Sequence, residues 1–497
     1  MKKSLIRLTA LALLIIMLIS AVACADTGVE NPDETTAPAQ TEAAGAETTA
    51  AVVTEAETTA INAENILGLR DLTGETLTFF SRKYNGVWSS DLFVKDADGT
   101  ILNDAIYKRN TTLSEKYGIA FEEIESGNVT FRNDVGNRIA TGDTSYQALY
   151  MGLADAANAA QLGYLQDMTS MENINLEGKW WTQSSNAAWS IGNKQYFATG
   201  AITTVDDRAI RTMYFNKTML ADLQLKSVYD LVYDNEWVYE KFFEYAEAAK
   251  KDDGDGVPTL LDTYGASAQT TFGFMMTMAS GEMLTQKDAD DMIVLVAADN
   301  TRFIDVVTYL TDKVAKNDGI YLGADGDIRE LFGNGQSLLW AEVLEHAYTM
   351  RMNYDINFGI VPMPKFTAEQ ENYHQYTTGY CTTVVCFPTT TKGAALDMAT
   401  FVVEAMAIES VETIVPAYYD ICLKGRYADD AESAAMLDII TTNVSSDYAE
   451  ILGWGGFKTA VQDAISAGMP ISSVISRNAP MTKKAIQKSL DAFKDLP

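Results

Sequence analysis

Residues 102–121 read LNDAIYKRNTTLSEKYGIAF and set the local architecture of the chain. Apolar residues recur at helical spacing, with Ile106, Leu113 and Tyr117 on one face, and Gly118 stands where a helix usually stops. Ile119-Ala120-Phe121 then continues as a short apolar strand. The stretch therefore predicts a helix that leads directly into a strand.

The flanking segments repeat this alternation. Thr76-Leu77-Thr78-Phe79 alternates with period two, which indicates a strand, and residues 147–152 predict another. An alanine-rich helix is expected over residues 154–162. Strands that alternate with helices are typical of an α/β fold with mostly parallel sheets.

Length and composition limit the class of protein. The chain has 497 residues, and a single core stops growing at about 250–300 residues, so we expect at least two lobes. A formal charge of −31 argues against a nucleic-acid partner, which needs clustered Lys and Arg. Two histidines are too few for a His-rich metal centre, and they disfavour an enzyme without excluding one.

The N-terminus has the features of an export signal. Lys2, Lys3 and Arg7 precede an apolar run over 8–23, which is short for a membrane span of about 20 residues. The run ends in Ala21-Val22-Ala23-Cys24, which resembles a bacterial lipobox, although Ala21 replaces the more usual Leu. We expect Cys24 to carry the lipid; in the alternative reading, cleavage occurs nearby and Cys24 is incidental.

The segment after Cys24 is acidic and repetitive. Residues 25–62 contain eight acidic residues and no basic ones, and Glu-Thr-Thr-Ala occurs at 34–37, 47–50 and 57–60. Without aromatic residues this segment cannot found a core, and its charge keeps it extended. We interpret it as a tether between a membrane anchor and the folded part.

Several later segments together resemble the extracellular solute-binding proteins of bacterial carbohydrate ABC importers (family 1 type). The segments are Tyr214-Phe215-Asn216-Lys217, Trp237 with the helix after it, Asp253-Gly254-Asp255-Gly256, Asp262-Thr263-Tyr264-Gly265, Phe332-Gly333-Asn334-Gly335-Gln336-Ser337 and the segment from Phe358 to Lys365. Their order and spacing carry the resemblance, which covers the chain from about Leu77 to its end.

The resemblance implies a two-lobed periplasmic-binding-protein-like (type 2) α/β fold, with a solute held in a hinged cleft between the lobes. The expected division is a signal peptide (1–23), a tether (24–62), an N-terminal lobe (63–205 and 375–408) and a C-terminal lobe (206–374 and 409–497). The implied partners are a sugar or oligosaccharide and an ABC permease. We expect a monomer on the outer face of the cell membrane, with no catalysis and no cofactor.

A sugar site needs aromatic platforms and planar hydrogen-bonding groups. Trp454 lies among three glycines, which permit close approach of a ligand, although a packed turn explains it equally well. The other candidates lie at or after the end of the first strand, in the first hinge or near a later strand: Arg82, Tyr84, Trp88, Asp206, Asp207 and Glu342. Trp88 could instead anchor the lobe surface, and Asp206 and Asp207 could form a local ion pair.

The remaining polar motifs carry weaker expectations. Asp253, Asp255 and Asp262 fit an EF-hand-like calcium loop, but Lys251 stands at its first position, so we favour a solvated acidic turn. Cys381 and Cys386 lie on opposite faces of one predicted strand, so they cannot pair with each other. Cys422 could pair with either of them, but we favour three unpaired thiols.

Two other functions stay open at this point. A secreted carbohydrate-active hydrolase needs only two suitably placed carboxylates, and the chain has 68 acidic residues. A lipoprotein that binds a solute and signals to a membrane receptor would carry the same sequence features as an importer component.

Overall fold

Two separate sheets form the framework of the chain in a computed structural model. The structure describes residues 61–83, 88, 90–127, 131–419, 430–494 and 496. The first sheet has the strand order β12-β3-β1-β2, and the second has the order β10-β4-β9-β5-β8. The strands are β1 (Thr76–Arg82), β2 (Ala120–Ser126), β3 (Ala148–Gly152), β4 (Arg211–Asn216), β5 (Tyr264–Gln269), β6 (Thr285–Lys287), β7 (Ile293–Leu295), β8 (Ile320–Gly323), β9 (Ser337–Val343), β10 (Phe358–Val361), β11 (Gln375–Tyr376), β12 (Thr383–Cys386) and β13 (Val444–Ser445).

Helices surround both sheets. They are α1 (Ala63–Leu67), α2 (Ile101–Tyr117), α3 (Phe131–Ala140), α4 (Leu153–Gln161), α5 (Gln183–Trp189), α6 (Val205–Arg208), α7 (Lys217–Asp222), α8 (Val228–Tyr233), α9 (Tyr239–Ala249), α10 (Phe272–Ala279), α11 (Thr301–Val314), α12 (Asp325–Gly333), α13 (His346–Asn353), α14 (Ala394–Ser410), α15 (Ile414–Pro416), α16 (Ala431–Thr442), α17 (Tyr448–Ile451), α18 (Phe457–Ala467) and α19 (Ile471–Lys494). Short 3₁₀ turns cover Met168–Ser170 and Trp454–Gly456. No helix in the described part of the chain is both long enough and apolar enough to cross a bilayer.

The first sheet follows from the helix-to-strand unit that opens the sequence. Helix α2 ends at Gly118, which adopts φ 75° and donates its backbone N–H to Ser114 O, and β2 begins two residues later. Strand β1 pairs in parallel with both β2 and β3, whereas β12 pairs antiparallel with β3. Parallel strands run in one direction, so β1, β2 and β3 all present their carboxyl ends at one edge.

Helix α14 is tied to the first sheet's lobe by a buried carboxylate. Glu404 accepts hydrogen bonds from Trp180 Nε1 (2.8 Å), Trp181 Nε1 (3.0 Å) and the backbone N–H of Asn175 (3.1 Å). Burial raises the pKa of Glu404 to about 7 against these hydrogen bonds. Both indoles therefore have a structural role.

The second sheet is mixed. Strand β5 pairs in parallel with β8 and β9, whereas β4 pairs antiparallel with β9 and β10. Gly265 on β5 lets helix α9 lie directly against the sheet, because a Cβ there would stand 1.9 Å from Ala246 O.

The chain passes between the two sheets three times: before β4, after β10 and after α14. The first two crossings run side by side, since Ile210 and Thr377 form an antiparallel bridge. Two adjacent crossing segments of this kind are the usual structure of a hinge between lobes.

Candidate functional site

The carboxyl ends of the parallel strands bring polar side chains towards the crossings. Arg82 is the last residue of β1, Gln269 is the last of β5, and Glu342 lies one residue before the end of β9. Ligands of open α/β sheets bind beyond such ends. We call these two groups of strand ends and the loops that follow them the polar edges.

The second crossing joins the two polar edges. Arg82 of the first sheet donates from Nη2 to Tyr380 O at 3.4 Å. Burial raises the pKa of the neighbouring thiol of Cys381 to about 11, and Arg211, Glu342 and Arg82 are all close enough to act on that thiol electrostatically. Charged groups of both edges therefore surround one short segment of the hinge.

On the first edge, Arg82 forms an ion pair with Asp155, whose Oδ2 lies 3.7 Å from Nη1. The guanidinium reaches this position across Gly152, where a Cβ would stand 2.9 Å from Nη1. The ring of Tyr380 lies with its centroid 5.7 Å from the guanidinium, and the side chain is 64% exposed. This edge therefore combines an ion pair with an accessible aromatic ring.

On the second edge, the buried carboxylate of Glu342 is fully hydrogen-bonded. It pairs with Arg211, which lies opposite Val343 on the adjacent strand, and accepts from Gln269 Nε2 at 2.8 Å and from the backbone N–H of Val343 at 2.9 Å. These partners fix the orientation of Glu342.

The loops after β8 and β9 extend the second edge. Asp325, the first residue of α12, pairs with Arg329, and His346, the first residue of α13, stacks on Trp340 with ring centroids 5.4 Å apart. Burial lowers the pKa of His346 to about 3, so the imidazole is neutral. One ligand atom from each of Asp325, Glu342 and His346 lies within 4.8 Å of the others.

This trio is chemically a metal-ligand set, but its surroundings oppose a cation. Arg211 and Arg329 already neutralise its two carboxylates. The second edge also holds buried polar atoms without a hydrogen-bond partner in the described part of the chain, namely Arg211 Nε, Arg329 Nε, Asp325 Oδ1, His346 Nδ1 and Thr271 Oγ1.

Asp206 and Asp207 lie in the first crossing, buried between the sheets. Asp206 accepts a hydrogen bond from Thr199 Oγ1 at 2.8 Å, while its other oxygen has no partner among the described residues. Burial, aided by the adjacent carboxylate, raises the pKa of Asp206 well above its usual range and that of Asp207 to about 6.

These two residues belong to a hinge cluster that consists of Asp91, Asp206, Asp207, Arg208 and Glu345. Arg208 lies between the lobes, with Nη2 at 3.9 Å from Asp91 Oδ2 and Nε at 3.7 Å from Glu345 Oε2. Burial raises the pKa of Glu345 to about 7, although Arg208 opposes the shift. The structure thus makes these two predicted ligand contacts part of the hinge interior.

Trp454 is packed inside the protein, as the alternative interpretation of its sequence proposed. The side chain is 4% exposed, its ring stacks on Tyr448 with centroids 5.9 Å apart, and Nε1 donates to Ser489 Oγ at 2.9 Å. Trp88 is partly buried, and Tyr84 lies outside the described residues. Of the predicted contacts, the structure brings Arg82 and Glu342 together around Cys381.

Sequence reasoning missed the partners of these two residues. Asp155 lies in the first turn of helix α4, which follows β3, and Arg211 is the first residue of β4, so a topology-based search of the strand ends and the turns after them would have found both. Tyr380 carries no such signal, because nothing in its local sequence shows that it projects from a crossing segment.

The acidic turn differs from the expected calcium geometry. The carboxylates that come together are Asp252, Asp253 and Asp262, while Asp255 is exposed and accepts only from the backbone N–H of Val257. Asp262 accepts from the backbone N–H groups of Asp253 (2.9 Å) and Thr259 (2.7 Å), which lowers its pKa. Backbone donors therefore occupy the oxygens of the residue expected at the last ligand position.

Solved structures with the same fold are sugar-binding components of transport systems. An ABC substrate-binding protein of Listeria monocytogenes in complex with cycloalternan aligns with a TM-score of 0.52 and 11% identity over 84% of this chain and 98% of that one. A cyclo/maltodextrin-binding protein with maltotetraose aligns with a TM-score of 0.54 and 13% identity, over 84% of this chain and 96% of that one. The GacH receptor of Streptomyces glaucescens, solved with acarbose, aligns with a TM-score of 0.50 and 12% identity, over 86% of this chain and 100% of that one. The predicted two-lobed α/β fold is thereby confirmed.

The comparison with curated proteins found no match. The sequence profile of the bacterial extracellular solute-binding proteins matches residues 110–413, which is more than half of the chain and includes the whole second sheet and every strand of the first sheet except β1. The chain belongs to the family of bacterial extracellular solute-binding proteins.

Proposed function

We propose that this solute-binding protein captures a sugar or oligosaccharide between its polar edges and delivers it to an ABC permease. The observation that carries the proposal is the convergence of Arg82, Tyr380, Arg211 and Glu342 from both lobes on one hinge segment. Planar guanidinium and carboxylate groups suit vicinal hydroxyls, and an exposed aromatic ring suits the C–H face of a sugar. The sugars seen in structures of the same fold agree with this chemistry.

Capture on this proposal is a hinge motion. Edges that belong to different lobes contact one ligand only when the lobes approach, so the ligand stabilises the closed arrangement. The paired crossings near Ile210 and Thr377 are the segments that would bend.

The export signal and tether complete the proposal. Membership in an extracellular family is consistent with a removed signal at 1–23 and with a lipid on Cys24. A lipid-anchored tether would keep a monomeric binding protein close to the permease. Cys24→Ala is expected to release the protein from the membrane fraction, and continued membrane association of this variant would contradict the anchor.

The binding function is tested by titrating the purified protein with a panel of mono- and oligosaccharides, followed by calorimetry and tryptophan fluorescence. Saturable, micromolar-range binding of an unaltered glycan is expected. Chromatography of the recovered glycan distinguishes capture from hydrolysis, since shortened products would replace the proposal with an enzyme. Uptake measured in cells with and without the neighbouring permease genes then separates import from sensing.

A further inference from the structure

Ion pairs between one guanidinium and one carboxylate recur at the polar edges. Each of three guanidinium groups is paired with one carboxylate: Arg82 with Asp155, Arg211 with Glu342, and Arg329 with Asp325. The pairs come from both lobes. The edges are therefore rich in polar groups but carry no surplus positive charge in these pairs.

We infer that the site selects uncharged, hydroxyl-rich glycans and rejects those that carry carboxylate or sulfate groups. The inference rests on the proposed function and specifies its ligand class. A ligand carboxylate that approaches Arg211 also approaches Glu342, so attraction and repulsion largely cancel while the anion loses its hydration. A hydroxyl group has no such conflict, because it donates to a carboxylate and accepts from a guanidinium at the same time.

The partners that Glu342 and Arg82 already have within the protein also disfavour binding of an anionic ligand. Glu342 is held by Arg211, Gln269 and the backbone of Val343, so a ligand cannot displace it without leaving a buried carboxylate unpaired. On the other edge, Asp155 occupies Arg82 from within the same lobe. The overall charge of −31 adds long-range repulsion of anions.

The test compares neutral and acidic forms of the same glycans by calorimetry on the full chain. The neutral probes are maltotetraose, cellotetraose, xylotetraose and methyl-esterified tetragalacturonate; the acidic probes are free tetragalacturonate and xylotetraose with one glucuronate branch. We expect every ligand that binds to be neutral, and its acidic counterpart to bind at least about tenfold more weakly, as like-charge juxtaposition requires. Equal or tighter binding of an acidic form would overturn the inference and leave sugar binding intact. Binding of no glycan would overturn the proposed function, and the inference with it.

Two variants locate the selectivity. Glu342→Gln and Asp155→Asn each leave one edge guanidinium without its carboxylate, and each is expected to reduce the discrimination against acidic glycans by about threefold or more. The matched control is Asp143→Asn, which frees Arg138 from its 2.7 Å pair at the turn before β3, away from the strand ends that form the edges. Unchanged discrimination in both folded edge variants would contradict the role of the pairs. If one variant does not fold, the other variant tests the role of the ion pairs, and the comparison of neutral and acidic glycans on the wild-type protein still tests the selectivity.

Discussion

The polar edges and the hinge cluster both contain carboxylates and guanidinium groups, but they differ in how many carboxylates pair with each guanidinium. Each of the three edge pairs joins one carboxylate to one guanidinium, whereas in the hinge cluster Arg208 pairs with both Asp91 and Glu345, and Asp206 and Asp207 precede it along the chain. Burial raises the pKa of Asp207 to about 6, with the charge of Asp91 adding to the shift, and burial raises that of Glu345 to about 7 although Arg208 opposes it. The edges are therefore suited to hold a ligand by hydrogen bonds, and the hinge cluster is suited to bind protons.

The largest effect that separates the two regions is expected from removing Arg208. Arg208→Met should lower the free energy of unfolding by about 3–5 kcal/mol at pH 8, because several buried carboxylates lose their shared cation. The loss should shrink at pH 5, which lies below the raised pKa values of Asp207 and Glu345. Arg329→Met is the edge counterpart and should cost less than about 1 kcal/mol, since its pair with Asp325 is partly exposed and lies within one helix. Urea denaturation at both pH values measures the difference, and equal losses for the two variants would remove the distinction.

The pH dependence of stability tests the proton-binding role of the hinge cluster. A carboxyl whose pKa is higher in the folded state binds more protons when folded, so its contribution is complete below its unfolded pKa and is lost as pH rises through its folded pKa. For Glu345 this window runs from its ordinary value of 4.5 to about 7. We expect the free energy of unfolding to fall between pH 5 and pH 8, and Glu345→Gln to flatten the fall by roughly 2–3 kcal/mol.

Asp143→Asn serves as the control for this measurement. Hydrogen bonds from Ser145 and the pair with Arg138 lower the pKa of Asp143, so its stabilising contribution is lost only at acidic pH. The variant should leave the change in the free energy of unfolding between pH 5 and pH 8 the same as in the wild type. A wild-type slope of zero, or one that Glu345→Gln does not alter, would show that the hinge carboxyls do not take up protons on folding.

A smaller effect is expected at the edges, and on affinity instead of stability. Tyr380→Ala should weaken sugar binding by about 1–2 kcal/mol, roughly 5–30-fold, because an exposed ring that stacks on a ligand is lost. Its melting temperature should stay near that of the wild type. Tyr380→Phe keeps the ring and should bind almost normally; a loss of affinity in both variants would assign the effect to the hydroxyl group.

The smallest effect concerns Trp454, which lies in the helical packing of the C-terminal segment and in neither region. Trp454→Phe removes the hydrogen bond to Ser489 and should cost about 1 kcal/mol of stability. The affinity for sugar should not change, since the side chain is buried against Tyr448. A binding loss without a stability loss would restore Trp454 to the ligand site.

Much of the first lobe could be read from local pattern. The helix before Gly118 and the strand after it occur where periodicity predicts them, because both depend on neighbouring residues along the chain. Arg82 and Glu342 were also predictable, since each lies at a strand end and ligands bind beyond such ends. The same rule, applied to the starts of α4 and β4, would have identified Asp155 and Arg211.

Other features depend on contacts between distant segments. Trp454 among glycines resembled an exposed platform, yet α19, 35 residues later at Ser489, covers it. Asp206 and Asp207 resembled cleft contacts, but Asp206 accepts a hydrogen bond from Thr199 Oγ1 and Asp207 accepts one from the hydroxyl of Tyr419. In each case the residue type indicated polarity or stacking, and only the surrounding segments decided whether solvent reaches it.

By itself, then, the sequence determined the α/β alternation, the acidic composition of residues 25–62 and the excess of acidic over basic residues, and it predicted an export signal, because each rests on local order or composition. The tertiary structure alone decided which carboxylate pairs with which arginine and how many share one cation. Except for Arg329 and Asp325 within one helix, those edge pairings join residues more than 70 positions apart, as between Arg82 and Asp155 or between Arg211 and Glu342. Charge pairing and burial arise only where such segments meet, so the polar edges and the hinge cluster are products of the fold.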